Sequence, residues 1–266
     1  MALDDKAFIQ YSRQIMLPEV GEQGQQKLMQ ASVVIVGVGG LGQLCAQYLS
    51  AAGVGRLTLI DDDRVELSNL PRQMLFGQAD CGQYKASVAA GRLKTGDCQV
   101  REKRVRLDDS NAQALLFNAD LVLDCSDNFA TRHSVNRACV ALKKRHVVAS
   151  AAHFSGQLMA FDLNEAPQLG CYHCLFPQEL KVSESCSTIG VLGPMVGSMA
   201  SMQSLLAIKL LLGLPGLGLL NRFDGLTGEM KRLKLRRDPD CAVCSAKGTA
   251  AERDGGRSSA RDGVRR

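Results

Sequence analysis

The stretch SVVIVGVGGLG (residues 32–42) decides the fold class of this chain. Its first five residues form a continuous, mostly β-branched run, which is typical of a strand buried on both faces. Gly37, Gly39 and Gly42 follow at once as G-x-G-x-x-G, and LCAQYLSAAG continues as a helix. The first glycine permits a tight turn, the second lets the backbone approach a phosphate, and the third lets the helix pack on the strand. The stretch therefore predicts a strand–turn–helix unit that binds a nucleotide.

The rest of the pattern predicts an α/β fold with a Rossmann-like, mostly parallel sheet. Up to about residue 150, strand-like runs alternate with helical segments, which favours helices on both faces. One of these helices is expected to begin at Asp109 or Ser110. Beyond residue 150 we expect a long helix over SMASMQSLLAIKLLLG, and strands that extend the sheet antiparallel at GQLMAF, NRFDG, GEMKRLKLRR and DPDCAVC.

Composition and charge limit the function classes. The hydrophobic fraction of 45% and the charged fraction of 22% are ordinary for a soluble globular protein. The net charge is +5, but residues 246–266 alone hold six basic and three acidic residues, so nucleic-acid binding has little support. We expect a helical arm (1–30), one α/β domain with a C-terminal extension (31–245) and a disordered tail (246–266).

Two further expectations concern location. The N-terminal residues carry charges where a secretory signal needs an apolar run, so a cytoplasmic protein is expected. The most apolar run, residues 205–220, is interrupted by Lys209, Gly213 and Pro215, and it is too short to span a bilayer. We therefore expect no membrane association.

The cysteine spacing predicts a metal site. Cys171 and Cys174 form one C-x-x-C pair, and Cys241 and Cys244 form a second. In a reducing compartment two such pairs favour a closed, tetrahedral zinc site of structural type over a disulfide or a redox pair. His173, inside the first pair, is not required as a ligand.

Polar residues beyond the glycine motif define the nucleotide site. Asp61 ends the next predicted strand, where a carboxylate accepts hydrogen bonds from ribose hydroxyls. The glycine motif alone also suits a nicotinamide dehydrogenase. A hydride-transfer site, however, has no need of extra cations at its phosphate end, whereas cleavage of an α–β phosphoanhydride does, because negative charge builds on its oxygens. Such cationic and polar groups follow in IDDDRVELSNLPRQ and at the next helix: Asn69, Arg72, Gln73 and Lys85.

The fourth predicted strand ends at a second group of polar residues. LVLDCSDN places Asp127 and Asn128 just beyond the strand, whereas Asp124 is still within it and is expected to be structural. The carboxyl ends of parallel strands border one crevice, so Asp127 should face the glycine motif. A carboxylate there is a natural Mg²⁺ ligand.

Several of these motifs together resemble the ThiF/MoeB family, bacterial relatives of the E1 enzymes that activate ubiquitin. The resemblance runs from about residue 11 to residue 244 and is carried by SRQI, GVGGLG, DDDRVELSNLPRQ, CSDNFATR and the Gly-x-x-Lys-Ala around Lys85. It implies that residues 31–245 form an E1-like, ATP-binding adenylation domain with a zinc-stapled C-terminal extension. The expected reaction is adenylation of the terminal glycine of a ubiquitin-like sulfur carrier protein ending in Gly-Gly, with release of pyrophosphate.

The resemblance also implies roles for single residues. Gly40 would approach the phosphates, and Cys186 would take part in sulfur or acyl transfer unless it is an ordinary loop cysteine. The implied cofactors are ATP, Mg²⁺ and Zn²⁺, and the implied partners are a second copy of the chain and a sulfurtransferase or cysteine desulfurase. By this resemblance, Asn69, Arg72 and Lys85 would stabilise the triphosphate and its transition state. Asp127 would bind magnesium, with Asn128 beside it, and the four paired cysteines would bind zinc. Arg13 of the partner subunit would complete the site.

Four functions remain open at this point. The first is adenylation of a sulfur carrier protein that serves thiamin thiazole or molybdopterin synthesis. A related adenylating enzyme acts on a modified tRNA base. A non-catalytic E1-like binding module would be expected to lack Arg72, Lys85 or Asp127, and all three are present. The nicotinamide dehydrogenase is the fourth.

Overall fold

The sheet of this protein is mixed, as the sequence predicts. The computed structural model describes residues 3–93, 97–178 and 190–245. Its strands are β1 (Ser32–Val36), β2 (Arg56–Ile60), β3 (Gln99–Lys103), β4 (Leu121–Asp124), β5 (Arg145–Ala152), β6 (Ser155–Phe161), β7 (Leu219–Asp224) and β8 (Met230–Lys234). They lie in the order β3-β2-β1-β4-β5-β6-β7-β8. The first five pair in parallel and the last three antiparallel, which confirms the predicted C-terminal extension of the sheet.

Helices cover both faces of the sheet. They are α1 (Asp5–Gln10), α2 (Ser12–Ile15), α3 (Gly21–Gln30), α4 (Gly40–Ala51), α5 (Lys85–Leu93), α6 (Ala112–Leu116), α7 (Phe129–Ala141), α8 (Tyr172–Leu175) and α9 (Gly193–Leu212). Alternate residues of β1 face opposite layers because side chains along a strand alternate. Val33 and Ile35 pack towards α4 and α9, whereas Val34 and Val36 pack towards α6 and α7.

The N-terminal arm consists of three short helices, α1, α2 and α3, with Pro18 in the second break. Two other predicted elements are wrong in detail. Helix α6 begins at Ala112 instead of at Asp109 or Ser110, because the Asp108 carboxylate accepts the Ser110 N–H and O–H and holds a turn there. DPDCAVC is a pair of turns and not a strand, since the Cys241 N–H closes onto the Asp238 carbonyl.

The described residues include one helix, α9, that is long and apolar enough to cross a membrane, and 56% of its apolar window is buried inside the fold. It begins well before the apolar run seen in the sequence and ends at Gly213, which adopts φ +81°. Gln203 at its centre is fully buried. Its side-chain N–H₂ donates to the carbonyls of Asp124 and Val147, at 3.1 Å each, and so ties α9 to β4 and β5.

The helical arm is held on the body of the same chain by a buried amide cluster. The Gln25 side chain accepts from Gln14 at 2.9 Å and donates to the Ala52 carbonyl at 3.1 Å. Tyr11 is buried, and Gly53, at φ +83°, leaves the space that its ring fills. These contacts fix the direction of α2.

The turn between β1 and α4 yields a testable prediction on stability. A Cβ on Gly42 would collide with the carbonyl oxygen of Gly37, so Gly42→Ala should lower the free energy of unfolding by about 1–3 kcal/mol. Gly91→Ala is the matched control. That glycine is an exposed helix position with no atom near its added Cβ, so alanine should raise stability by about 0.5–1 kcal/mol. Urea unfolding of both variants measures the difference, and equal stability of the two would contradict this packing.

Candidate functional site

A cavity of about 530 Å³ opens at the carboxyl ends of β1, β2 and β4. This is the expected position of a ligand site in an open parallel sheet. Most of the residues predicted to bind the nucleotide line it: Gly37, Gly39, Gly40, Asp61, Asn69, Arg72, Gln73, Lys85, Asp127 and Asn128. The structure thus brings together groups from four separate segments of the chain.

The glycine loop forms the floor of the cavity. Gly37 adopts φ +86°, and a Cβ there would lie 2.9 Å from the Cys125 carbonyl oxygen. Gly39 faces open space, and its nearest neighbour would be the Gln73 side chain at 3.6 Å. Gly42, predicted as part of the binding loop, does not line the cavity, since its role is to let α4 pack on the loop. The N-terminus of α4 therefore lies at the cavity, where its backbone N–H groups can bind an anion.

Asp61 is held rigidly at the end of β2. Its carboxylate accepts the Val38 N–H at 2.6 Å and the Asp63 N–H at 2.8 Å. Burial raises its pKa to about 6, and the backbone hydrogen bond from Val38 and the charge of Lys85 limit the rise. The carboxylate is thus placed beside the glycine loop, where the sequence predicts a ribose.

The two predicted cations differ in their surroundings. Lys85 Nζ lies 2.9 Å from a carboxylate oxygen of Asp63, and the lysine side chain is only 7% exposed whereas Asp63 is 67% exposed. Arg72 donates to the Ser68 carbonyl at 3.0 Å and is otherwise directed to the cavity. Both positive charges can therefore meet an anion that enters from solvent.

Two buried amide oxygens lack hydrogen-bond partners within the described part of the chain, Asn69 Oδ1 and Gln73 Oε1. Both residues line the cavity. A buried acceptor without a donor is costly, so these groups indicate a polar ligand or water at this position. Their placement fits the predicted nucleotide site.

The turn after β4 presents Asp127 to the cavity. Asn128 has a capping role that the sequence did not predict: its Oδ1 accepts the Thr131 N–H at 2.9 Å at the start of α7. Asp124 is buried and structural, as predicted. Its carboxylate accepts both the N–H and the O–H of Ser126, and burial raises its pKa.

Sequence reasoning missed two residues of the site. Arg132 is buried, lines the cavity, and donates to the Ser126 carbonyl at 2.7 Å and to the Ala149 carbonyl at 3.3 Å. It therefore shapes the turn that carries Asp127. Asp63, the partner of Lys85, was the other. Arg132 belongs to the motif CSDNFATR, and Asp63 belongs to a run of three aspartates. Neither pattern predicts which atoms these two side chains contact in the folded protein.

One predicted catalytic residue, Arg13, is not brought to the cavity of its own chain. Arg13 lies on α2, is exposed, and does not line the cavity of its own chain. Cys186 lies outside the described residues.

The four paired cysteines converge on one point. Their sulfur atoms lie within 4.8 Å of one another. Cys171 and Cys241 are 3.8 Å apart, and Cys174 and Cys244 are 3.5 Å apart. Four thiolates at about 2.3 Å from a central zinc would be separated by about 3.8 Å, so the cluster fits a tetrahedral metal site and could bind zinc. His173 Nδ1 contacts Cys241 Sγ at 3.6 Å, so it is a neighbour of the cluster.

The raised pKa of Asp61 yields a prediction on pH dependence. The folded protein favours its protonated carboxyl, so the contribution of Asp61 to stability should fall as pH rises from about 4 to about 6 and level off above that. The pH-dependent part should reach at most about 3 kcal/mol. Asp61→Asn should lose this step and keep the remaining pH dependence. Urea unfolding of both proteins between pH 4 and 8 measures it, and parallel curves would show that the Asp61 pKa is not raised.

Comparison with known proteins agrees with this geometry. The model of the ThiF family matches residues 11–243. The chain is 45% identical over 245 residues to the sulfur carrier protein ThiS adenylyltransferase of Escherichia coli (strain K12), covering 91% of this chain and 97% of that protein. It is also 45% identical over 258 residues to the adenylyltransferase and sulfurtransferase MOCS3 of Sus scrofa, covering 94% of this chain but only 56% of that protein.

Solved structures show the same fold. A crystal structure of E. coli MccB with MccA-N7isoASN superposes with a TM-score of 0.78 at 24% identity, covering 89% of this chain and 74% of that one. The resemblance inferred from the sequence motifs is therefore confirmed. With its glycine loop, a cavity that holds Arg72 and Lys85, and its matched relatives, the chain belongs to the ThiF family and is an adenylyltransferase.

Proposed function

We propose that this enzyme uses ATP to adenylate the C-terminal glycine carboxylate of a small ubiquitin-like sulfur carrier protein that ends in Gly-Gly. The single observation that carries the proposal is the cavity, in which the glycine loop, Asp61, Arg72 and Lys85 face one space. The relative named as the ThiS adenylyltransferase, matched over 97% of its length, supports the choice of acceptor.

The chemistry needs no side-chain nucleophile. A carboxylate oxygen of the carrier attacks the α-phosphorus of ATP, an oxygen–phosphorus bond forms, and the bond to the β-phosphate oxygen breaks so that pyrophosphate leaves. The enzyme contributes position and charge. Arg72 and Lys85 stabilise the negative charge that grows on the phosphate oxygens, and Asp61 holds the ribose.

The cavity also suits a magnesium ion. Asp127 offers a carboxylate at the cavity wall, and the Asn128 side chain donates to it at 3.4 Å, which orients it. Hard oxygen donors of this kind match the preference of Mg²⁺. When bound with ATP, the ion would neutralise phosphate charge. We assign zinc to the four-cysteine cluster, where it would act as a structural staple.

We further propose a homodimer in which Arg13 of one subunit completes the cavity of its partner. Its own chain holds α2 away from the cavity through the Gln14–Gln25–Ala52 contacts. The arm around it exposes several large apolar side chains, a feature of interaction surfaces: Phe8, Ile9, Met16 and Leu17.

The finer assignments rest on the relatives. We propose a cytoplasmic enzyme of thiamin thiazole or molybdopterin synthesis that works with a sulfurtransferase or a cysteine desulfurase, and we give Cys186 a role only after adenylation. A tRNA-modifying relative would instead show activity with RNA. A non-catalytic module is disfavoured because the cavity holds both Arg72 and Lys85.

Pyrophosphate exchange tests the proposed reaction. The enzyme should incorporate labelled pyrophosphate into ATP only with a carrier ending in Gly-Gly, and not with the same carrier lacking its last glycine. Arg72→Ala and Asp127→Ala should each lower exchange at least about 100-fold, because each removes a group acting on the phosphate charge. Arg104→Ala, an exposed arginine outside the cavity, is the matched control and should keep it. Failure with every Gly-Gly carrier would refute the proposal.

Mixing two inactive variants tests the shared site. Arg13→Ala and Arg72→Ala should each be inactive as homodimers. After the two variants are unfolded and refolded as a 1:1 mixture, half of the dimers should contain one subunit of each variant. Each mixed dimer should have one complete site out of two, so about a quarter of all sites should hold both arginines. Recovery of about a quarter of the exchange activity is expected. No recovery, with mixed dimers demonstrated by mass spectrometry, would show that Arg13 acts within its own chain. An Arg13→Ala homodimer that keeps full exchange activity would show that Arg13 does not act at all.

A further inference from the structure

Helix α7 connects the nucleotide cavity to the four-cysteine cluster. Its first residue follows directly after Asp127 and Asn128, both of which line the cavity. Seven residues after the start of the helix, Asn136 reaches the cluster, which at 1.5 Å per residue is about 10 Å along the helix axis. One helix therefore contacts both sites.

Asn136 makes the contact at the cluster with both ends of its side-chain amide. It is fully buried. Its Nδ2 donates to Cys171 Sγ at 3.5 Å, and its Oδ1 accepts the backbone N–H of Tyr172 at 3.0 Å. An N–H donor to a cysteine sulfur is the kind of contact that orients a metal-bound thiolate and stabilises its charge. The second hydrogen bond joins α7 to the start of α8.

Aromatic contacts extend the packing between α7 and the segment around α8. Phe129 lies 6.5 Å from Phe176, and His133 lies 5.6 Å from Tyr172, as measured between ring centres. Positions 129, 133 and 136 fall on one face of a helix, so α7 presents one continuous face to α8. On another part of α7, Arg132 donates to the Ser126 carbonyl just before Asp127. The segment that carries the first cysteine pair thus packs along α7 from Phe129 to Asn136, beginning at the Asp127 turn.

We propose that Asn136 is a positioning residue, which ties the first cysteine pair to α7 and so holds Asp127 where the metal ion of Mg·ATP binds. The part that concerns Mg·ATP rests on the proposed function, whereas the part that concerns the cysteines does not. The assignment makes the metal cluster a support of the nucleotide site as well as a staple of the C-terminal extension.

The test uses the full-length protein with two variants and one control. Asn136→Leu removes both hydrogen bonds, while Asn136→Asp keeps the acceptor for Tyr172 but removes the donor to Cys171. Asn221→Leu is the matched control, because that residue donates only to the Leu158 carbonyl, at 3.4 Å, and lies in neither site. Far-ultraviolet circular dichroism establishes that each variant is folded.

The first measurement concerns the cysteine cluster. Zinc affinity, measured by competition with a chelating dye, should fall about 10- to 100-fold in both Asn136 variants, as expected when a partner of a metal ligand is lost. The cobalt-loaded protein should show a shifted thiolate-to-metal absorption band. The control should match the wild type. Unchanged zinc affinity and an unchanged cobalt band in a folded Asn136 variant would overturn the proposal.

The second measurement concerns the nucleotide. With the zinc site loaded and excess metal removed by gel filtration, Asn136→Leu should bind Mg·ATP about tenfold more weakly than the wild type. It should bind ATP in magnesium-free buffer without chelator with equal affinity, because only the Asp127 contact is disturbed. A general loss of structure would weaken both. If Asn136→Leu does not fold, the zinc affinity and cobalt band of Asn136→Asp decide. A wild type that fails to bind Mg·ATP would refute the proposed function, and the cobalt band would still test the Asn136–Cys171 contact.

Discussion

Only three residues separate the end of β1 from the start of α4, and the turn can be this short because Gly37 and Gly42 have no side chains. Gly37 takes a positive φ beside the Cys125 carbonyl, and Gly42 packs on the carbonyl of Gly37. This close contact aims the first N–H groups of α4 into the cavity and places the Val38 N–H against Asp61. The positions of the Asp61 carboxylate, of the N-terminus of α4 and of the Cys125–Asp127 turn all depend on it.

The ion pair between Lys85 and Asp63 in the cavity allows Lys85 to exchange one anionic partner for another. Lys85 is almost fully buried, so it needs a counter-ion at all times, and without nucleotide that counter-ion is Asp63. Asp63 is mostly exposed and regains water when it is released, so giving it up costs little. A triphosphate can therefore take over Lys85 without leaving a buried charge unpaired. This difference in exposure between Lys85 and Asp63 explains how Lys85 can pair with Asp63 and still be available for the proposed reaction.

Short-range patterns predicted most of the site, and long-range contacts account for what they missed. The glycine spacing, Asp61 at a strand end and the two C-x-x-C pairs each have a physical meaning within a few residues of sequence. The reach of a long side chain depends on tertiary packing, so the contacts of Arg132 with Ser126 and Ala149 had no local signal. The segment DPDCAVC forms turns instead of the predicted strand, in keeping with the preference of Asp and Pro for turns.

The cysteine cluster lies where the hydrophobic core is thinnest. All five residues of β8 are exposed, and the apolar cluster that joins β5 and β6 to the extension is small. Around the sulfurs themselves only a few apolar side chains are packed, Val140, Leu163 and Val243. A small core of this kind contributes little free energy of folding, and a bound metal can supply what it lacks. Because Asn136 carries that support into α7, the weakest part of the core and the Asp127 turn are stabilised by the same four thiolates.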